Sequence, residues 1–330
     1  MQKWSTILKN YTNTSTAEII SVLPLNEKNT ARVKAALSGS RFAFSAEGTP
    51  SPEVLRRAEA IFGNPSPEQL RLAENLRWVQ LSSAGADRYT GGMFPEGAFL
   101  TNASGAYGPS IGEYMVCTAM SLMLGLPACR DNQRLHKWDQ GGRVRHIPGS
   151  VALSVGFGNI GREFAKRYHA LGGHVIGVKR TPGIRPDFLD ELHTADDLGE
   201  LLPRADVVAL SLPSTGETRR MFGREAFSKM KQGALLLNVG RGTAVDTDEL
   251  NAALRSGKLG GAALDVTDPE PLPADHPLWD APNTIITPHV AGGWNELENF
   301  ERVMEIFLDN LGRYLRGEPL KNRVNLVRGY

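Results

Sequence analysis

Cysteine is scarce in this chain, net charge is almost absent, and no apolar run is long. Among 330 residues there are two cysteines, Cys117 and Cys129. They are too few for a disulfide framework and have no metal-ligand spacing, so a reducing, cytoplasmic setting without a metal is expected. The formal net charge is +1, which offers no electrostatic argument for a nucleic acid or an anionic membrane as partner. The opening segment MQKWSTILKNYTNTSTAEII has no apolar core of the secretory kind. The longest apolar stretch, Tyr114–Leu126, is short and interrupted by Cys, Thr, Ser and Gly, which argues against a bilayer span. At this length two domains are expected.

The chain is organised around Ser150–Arg180, SVALSVGFGNIGREFAKRYHALGGHVIGVKR. Val151–Val155 is a short apolar run of the kind buried on both faces of a parallel sheet. Gly156-Phe157-Gly158-Asn159-Ile160-Gly161 follows at once, and Arg162–Leu171 carries Phe164, Ala165, Tyr168 and Leu171 on one helical face. His174–Val178 reads as a second strand. This is a βαβ unit with G-x-G-x-x-G at its first turn. Gly156 permits the tight turn, Gly158 lets backbone approach a pyrophosphate, and Gly161 lets helix and strand pack closely. The helix N-terminus, with Asn159 and Ile160, offers free amides to the phosphates.

An acid that would bind a ribose 2′-hydroxyl is missing at the end of the second strand. Lys179, Arg180 and Thr181 stand there instead. Two cations and a hydroxyl suit a 2′-phosphate, so NADP(H) is favoured, with NAD(H) left open.

Strand and helix patterns alternate through the rest of the chain, which argues α/β layers. Residues 1–15 are polar and give no assignment. Strands are expected at Glu18–Leu25, Arg41–Ala46, Ala60–Phe62, Arg77–Leu81 and Phe99–Ala103, with helices over Asn26–Leu37 and after Ser51-Pro52 and Ser66-Pro67. Ser82-Ser83-Ala84-Gly85-Ala86-Asp87 follows a strand, and its amides could face an anion or simply turn the chain. Ile111–Leu126 reads as a long apolar helix, either core or oligomer contact. Asp131–Ile147 is polar apart from Trp138 and is expected to wrap the surface. After Arg180 come helices at Ala195–Leu202, Arg224–Lys229 and Thr247–Ser256, and strands at Val207–Leu210, Ala234–Asn238, Ala262–Val266 and Thr284–Thr287.

Ligands of such sheets sit beyond the strand ends. Arg241 lies in NVGRG after one of them, Asp265 closes the next with Glu270 in the loop beyond, and His289 follows Thr287-Pro288. A guanidinium can clamp a carboxylate. A carboxylate bonded to an imidazole fixes its tautomer and favours its protonated form, and that imidazolium can protonate an oxygen. A nicotinamide would carry the hydride.

These motifs together resemble the D-isomer-specific 2-hydroxyacid dehydrogenase family, of the glyoxylate/hydroxypyruvate reductase kind. The likeness runs from about Leu76 to the C-terminus through SSAGAD, TNASGAYGPSIGEYM, GFGNIG, LPSTGETRRMF, NVGRG, LDVTDPEPLP, TPHVAGG and RGEPLKNRV. It implies an α/β fold of two domains, a Rossmann nucleotide domain over 106–289 inserted into a smaller flavodoxin-like substrate domain formed by 1–105 and a returning segment 290–330. The chain crossings are expected near Thr101–Ile111 and His289–Glu296. It implies Arg241, Glu270 and His289 as the catalytic set, with Arg241 also holding substrate carboxylate beside the backbone of Ser83, Ala84 and Gly85. It places Asp265 near the nicotinamide carboxamide and Pro213 and Thr218 over the adenine side, and it implies a homodimer built on the nucleotide domain.

The chain departs from the family at Lys179, at Gly112-Glu113-Tyr114 where Ala-Glu-His is frequent, and at Gly293-Trp294. Trp138 and Trp294 either wall the substrate pocket, which would favour small 2-ketoacids, or pack elsewhere. The reading is reduction of a small 2-ketoacid such as glyoxylate or hydroxypyruvate to a D-2-hydroxyacid. Two alternatives stand beside it. One is an NAD-linked dehydrogenase of a larger or phosphorylated 2-hydroxyacid, like phosphoglycerate dehydrogenase, with Arg88, Arg134 and Arg143 as candidate extra cations. The other is a nucleotide-sensing regulatory binding protein.

Overall fold

The structure is a computed structural model that describes residues 17–46, 48–90, 92, 94–139, 144–293 and 297–329. Trp294 and Arg143 lie outside the described residues, as do residues 1–16. The chain divides into two compact units, Met1–Ala106 with Glu296–Tyr330, and Tyr107–Asn295.

The first unit is a five-stranded parallel sheet of β1 (Glu18–Ser21), β2 (Ala43–Ser45), β3 (Ala58–Phe62), β4 (Trp78–Gln80) and β5 (Phe99–Thr101), in the order β2-β1-β3-β4-β5. That is the flavodoxin-like order. Its helices start where short polar residues can cap them: Asn26 before α1 (Glu27–Ala36), Ser51 before α2 (Pro52–Arg57), and Ser66 before α3 (Pro67–Leu72). At α3 the cap is reciprocal, because Gln69 also bonds the Ser66 amide. A long helix at the C-terminal end of the chain, Leu297–Arg316, closes one face of this sheet. Phe307 stacks on Phe62 with centroids 4.2 Å apart.

The second unit opens with α4 (Gly108–Met123) and α5 (Leu126–Arg134). Ile111–Leu126 is therefore not one continuous helix. Gly125, at φ 68°, leaves the right-handed region and the two helices bend by 67°. Part of the polar stretch after it is helix rather than surface wrap, since α5 reaches Arg134. No single helix among the described residues is long and apolar enough to cross a membrane.

Seven parallel strands then form one sheet: β6 (Val151–Val155), β7 (His174–Lys179), β8 (Glu191–Thr194), β9 (Val207–Leu210), β10 (Ala234–Asn238), β11 (Leu259–Leu264) and β12 (Thr284–Ile286). Their order, β12-β11-β10-β9-β6-β7-β8, is that of a Rossmann sheet, and its switch point lies between β6 and β9. The helix after the glycine turn, α6 (Asn159–Ala170), starts three residues earlier than the periodicity implies. Its first turn carries Gly161 against the sheet, where an apolar count sees nothing. β8 is absent from the sequence reading because ELHT is polar, as an edge strand is allowed to be. β11 begins at Leu259, before the expected Ala262. Gly260 and Gly261 look like a break, but a Cβ at either would strike the Gly233 or Asn283 carbonyl at 2.4 or 2.7 Å. They are close-approach positions within the strand.

Candidate active site

The glycine turn satisfies, atom by atom, what a dinucleotide requires. Gly156 has φ 93°, and a Cβ on it would lie 2.7 Å from the Ser211 carbonyl oxygen. A Cβ on Gly161 would lie 2.6 Å from the Gly156 carbonyl oxygen and 2.8 Å from Ser154 Oγ, so α6 and β6 pack at backbone distance. A Cβ on Gly158 would meet no protein atom within 4 Å. The protein itself does not need that position bare; a phosphate approaching the N-terminus of α6 does. These residues fit a dinucleotide.

Lys179 is the last residue of β7, and its ammonium lies over Gly183. Arg180 follows and meets Glu217 across the glycine turn, Nη2 to Oε1 at 3.3 Å. An acid therefore does stand beside this end of β7, supplied by the loop after β9. Thr181 is exposed. In the β9 loop the Thr218 hydroxyl donates to the Pro213 carbonyl at 2.7 Å and accepts from the Thr215 amide at 3.0 Å, so Thr218 shapes the turn that Pro213 opens.

The ends of β10, β11 and β12 stand in one row: Asn238 pairs with Leu264, and Leu264 with Ile286. Arg241, Glu270 and His289 leave the sheet from that row. Asn238 is fully buried and organises the first loop. Its amide oxygen accepts from Gly240 N at 3.1 Å, and its amide nitrogen donates to the Arg241 carbonyl at 3.1 Å. The glycines around Arg241 answer to backbone packing. A Cβ on Gly242 would fall 1.8 Å from the Thr267 carbonyl oxygen, and one on Gly240 2.5 Å from Leu212 N. The Arg241 side chain is partly buried, and its Nη1 donates to the Gly240 carbonyl at 2.8 Å.

Glu270 lies between the cis peptide bonds Asp268-Pro269 and Glu270-Pro271. Its Oε1 is 2.7 Å from His289 Nδ1. Both side chains are a little under half exposed, so the pair is open to a small molecule. With Nδ1 committed to Glu270, Nε2 is the ring atom left to exchange a proton with a ligand. His289 has φ 56°, a left-handed value that a non-glycine residue adopts only under constraint. Asp265, 3 % exposed, sits beneath it.

In the first unit, the Ser83 carbonyl accepts from Ala103 N at 2.9 Å and the Ala84 carbonyl from Asn102 Nδ2 at 2.7 Å. Among the described residues, the amides of Ser83, Ala84 and Gly85 donate to no protein acceptor. Trp138 is entirely exposed. It follows α5 in a polar segment that gives it nothing to bury against, so it walls no pocket within the described chain. Arg88 and Arg134 are exposed side chains. Sequence reasoning missed Asn238, whose signal was a polar residue at the end of an otherwise apolar strand directly before V-G. It also missed Tyr114 and Thr287, which bond each other at 2.6 Å.

Comparison with known proteins agrees with this geometry. Residues 116–291 match the family model described as "D-isomer specific 2-hydroxyacid dehydrogenase, NAD binding domain". The glyoxylate reductase of Thermofilum pendens is 30 % identical over 263 residues, 76 % of this chain and 75 % of that protein. The D-3-phosphoglycerate dehydrogenase of Methanocaldococcus jannaschii is 32 % identical over 235 residues, 70 % of this chain but 44 % of that longer protein. A crystal structure of the D-isomer specific 2-hydroxyacid dehydrogenase from Xanthobacter autotrophicus, in complex with NADPH and MES, superposes with a TM-score of 0.80 at 26 % identity, covering 96 % of this chain and 100 % of that one. The chain belongs to the D-isomer specific 2-hydroxyacid dehydrogenase family and is an oxidoreductase that uses a nicotinamide dinucleotide.

Proposed function

We propose that the protein reduces a small 2-ketoacid of the glyoxylate or hydroxypyruvate kind to a D-2-hydroxyacid, with NADPH preferred over NADH. The observation that carries the reaction is the 2.7 Å contact between His289 Nδ1 and Glu270 Oε1 on the strand-end row shared with Arg241. A nicotinamide held at the glycine turn would supply the hydride for the keto carbon. Arg241 binds the substrate carboxylate and polarises the keto oxygen; family likeness makes the amides of Ser83, Ala84 and Gly85 proposed substrate-binding groups of the first unit. His289, protonated on both nitrogens and held by Glu270, gives its Nε2 proton to the oxygen that becomes the hydroxyl. In the reverse direction the same nitrogen takes that proton back.

Lys179, Arg180 and Thr181 support the NADPH preference, since two cations and a hydroxyl can surround a 2′-phosphate. Likeness to a glyoxylate reductase supports the small substrate. Asp265 is the proposed neighbour of the nicotinamide carboxamide, and the loop from Pro213 to Thr218 the cover of the adenine. Leu126, Leu135 and Trp138 are 49, 63 and 105 % exposed on one contiguous segment, and a second copy of this chain is the proposed cover for them. Free cysteines at positions 117 and 129 suit the cytoplasm.

The test is loss of reduced-nicotinamide absorbance with glyoxylate and hydroxypyruvate, run in parallel with NADPH and NADH. Faster oxidation of NADPH, abolished in His289→Ala while NADPH still binds, is the expected result. Faster oxidation of NADH would overturn the cofactor preference. Turnover that survives in His289→Ala would overturn the assignment of the acid.

A further inference from the structure

The ring of His289 is held by Glu270, but its backbone is held by something else. Asp265 Oδ1 accepts from the Thr287 hydroxyl at 2.7 Å and from Val290 N at 2.8 Å, and Oδ2 accepts from Ala291 N at 3.0 Å. The Asp265 carbonyl accepts from His289 N at 2.9 Å. One buried residue thus bonds on both sides of His289 and to His289 itself. Left-handed backbone is unfavourable for an ordinary residue and persists where surrounding bonds over-determine it. Here they do.

Thr287 has one hydroxyl proton. A carboxylate can only accept, so that proton goes to Asp265, and the 2.6 Å contact with Tyr114 must be donated by the phenol. The order is Tyr114 O–H to Thr287 Oγ1, then Thr287 O–H to Asp265 Oδ1. Chains with donors aligned in one sense polarise and strengthen each other. Burial pushes the Tyr114 phenol up to about 12, so it keeps the proton this order requires across the neutral range. Tyr114 lies on α4, so the turn is anchored from a helix distant in sequence.

We propose that Tyr114, Thr287 and Asp265 form a positioning relay that holds the 287–291 turn and thereby aims His289. None of the three exchanges a proton with substrate; towards His289 each acts only by positioning, whatever Asp265 also contributes beside the nicotinamide. The role in turnover rests on the reading of His289 as the acid, while the mechanical part does not.

Two measurements separate them. In Thr287→Val, kcat for glyoxylate reduction should fall about 10- to 100-fold, the cost of misplacing a reacting group by a fraction of an ångström to 1 Å. NADPH binding, read by its fluorescence, should be unchanged. Thr287→Ser keeps the hydroxyl and should restore kcat. Tyr114→Phe keeps the ring packing and should lower kcat about three- to tenfold, the worth of one hydrogen bond. Amide exchange at residues 289–291 should accelerate in the Val and Phe variants and not in the Ser variant. Wild-type kcat and exchange in both Thr287→Val and Tyr114→Phe would overturn the relay, as would failure of Thr287→Ser to restore what Thr287→Val loses. If the unaltered protein reduces no 2-ketoacid, the functional reading fails, and the exchange pattern still decides the relay.

Discussion

Gly158 and Gly161 are the second and third glycines of one motif, yet the structure assigns them opposite sensitivities. In Gly161→Ala the new Cβ would lie 2.6 Å from the Gly156 carbonyl oxygen and 2.8 Å from Ser154 Oγ. Ordinary contact begins near 3.4 Å, so α6 must move from β6 by about 0.8 Å. Overpacking of this kind costs about 1–3 kcal/mol, which in a unit of this size lowers Tm by about 2–12 °C. In Gly158→Ala the Cβ meets no protein atom within 4 Å, and the φ of −89° is one alanine adopts. Its Tm should be unchanged or slightly higher, because alanine reduces the freedom of the unfolded chain. The same methyl stands where a pyrophosphate approaches the helix, so the NADPH Kd should rise by about tenfold or more. Thermal unfolding without ligand and fluorescence titration with NADPH read the two effects separately. Equal Tm losses in both variants, or normal NADPH affinity in Gly158→Ala, would refute the reasoning.

Arg241→Lys keeps the charge but loses the two-pronged donor, so steady-state kinetics should show a ketoacid KM raised about tenfold or more with NADPH binding unchanged. Glu191 is held down to about 2, chiefly by Arg204 and further by His174 and His193, with burial opposing. Because its folded value lies below the ordinary 4.5, its contribution is present above pH 4.5 and fades as pH falls towards 2. Glu191→Gln should therefore lower Tm at pH 7 and flatten the loss of Tm between pH 5 and 3, as read by scanning calorimetry. If a second copy covers this segment as proposed, the unaltered chain should sediment as a dimer and Leu126→Asp combined with Leu135→Asp as a folded monomer in sedimentation velocity.

The parts of this protein that could be read from the sequence are those whose cause is local. The glycine turn, the apolar strands and the serine caps are set by neighbours a few residues away. The motif at the end of each strand was visible because a parallel sheet delivers its strand ends to one side, so Arg241, Glu270 and His289 could be gathered without knowing any distance. Boundaries were missed where a glycine served a distant contact, as Gly260 and Gly261 do in β11. β8 was missed because an edge strand can be polar, and the bend at Gly125 because apolar periodicity continues across it.

Less legible still was what each buried polar residue is for. Asp265 is expected beside the cofactor, and nothing in the sequence says that its three side-chain bonds also run to residues 22, 25 and 26 positions away. The Tyr114–Thr287 bond spans 173 positions. No period of helix or strand connects such pairs. Their only trace in the sequence is an unexpected polar residue in an apolar setting: Asn238 ending ALLLN, Asp265 ending GGAALD, and Tyr114 within an apolar helix. Burying each without a partner would cost a few kcal/mol, so each implies a partner even when the sequence cannot say where. In this chain Asn238 and Asp265 find theirs in the backbone of the loops that carry Arg241 and His289. The side chains singled out for chemistry are therefore the exposed ends of an arrangement whose fixed points lie inside the sheet, and substitutions at those inner points should alter turnover without touching substrate.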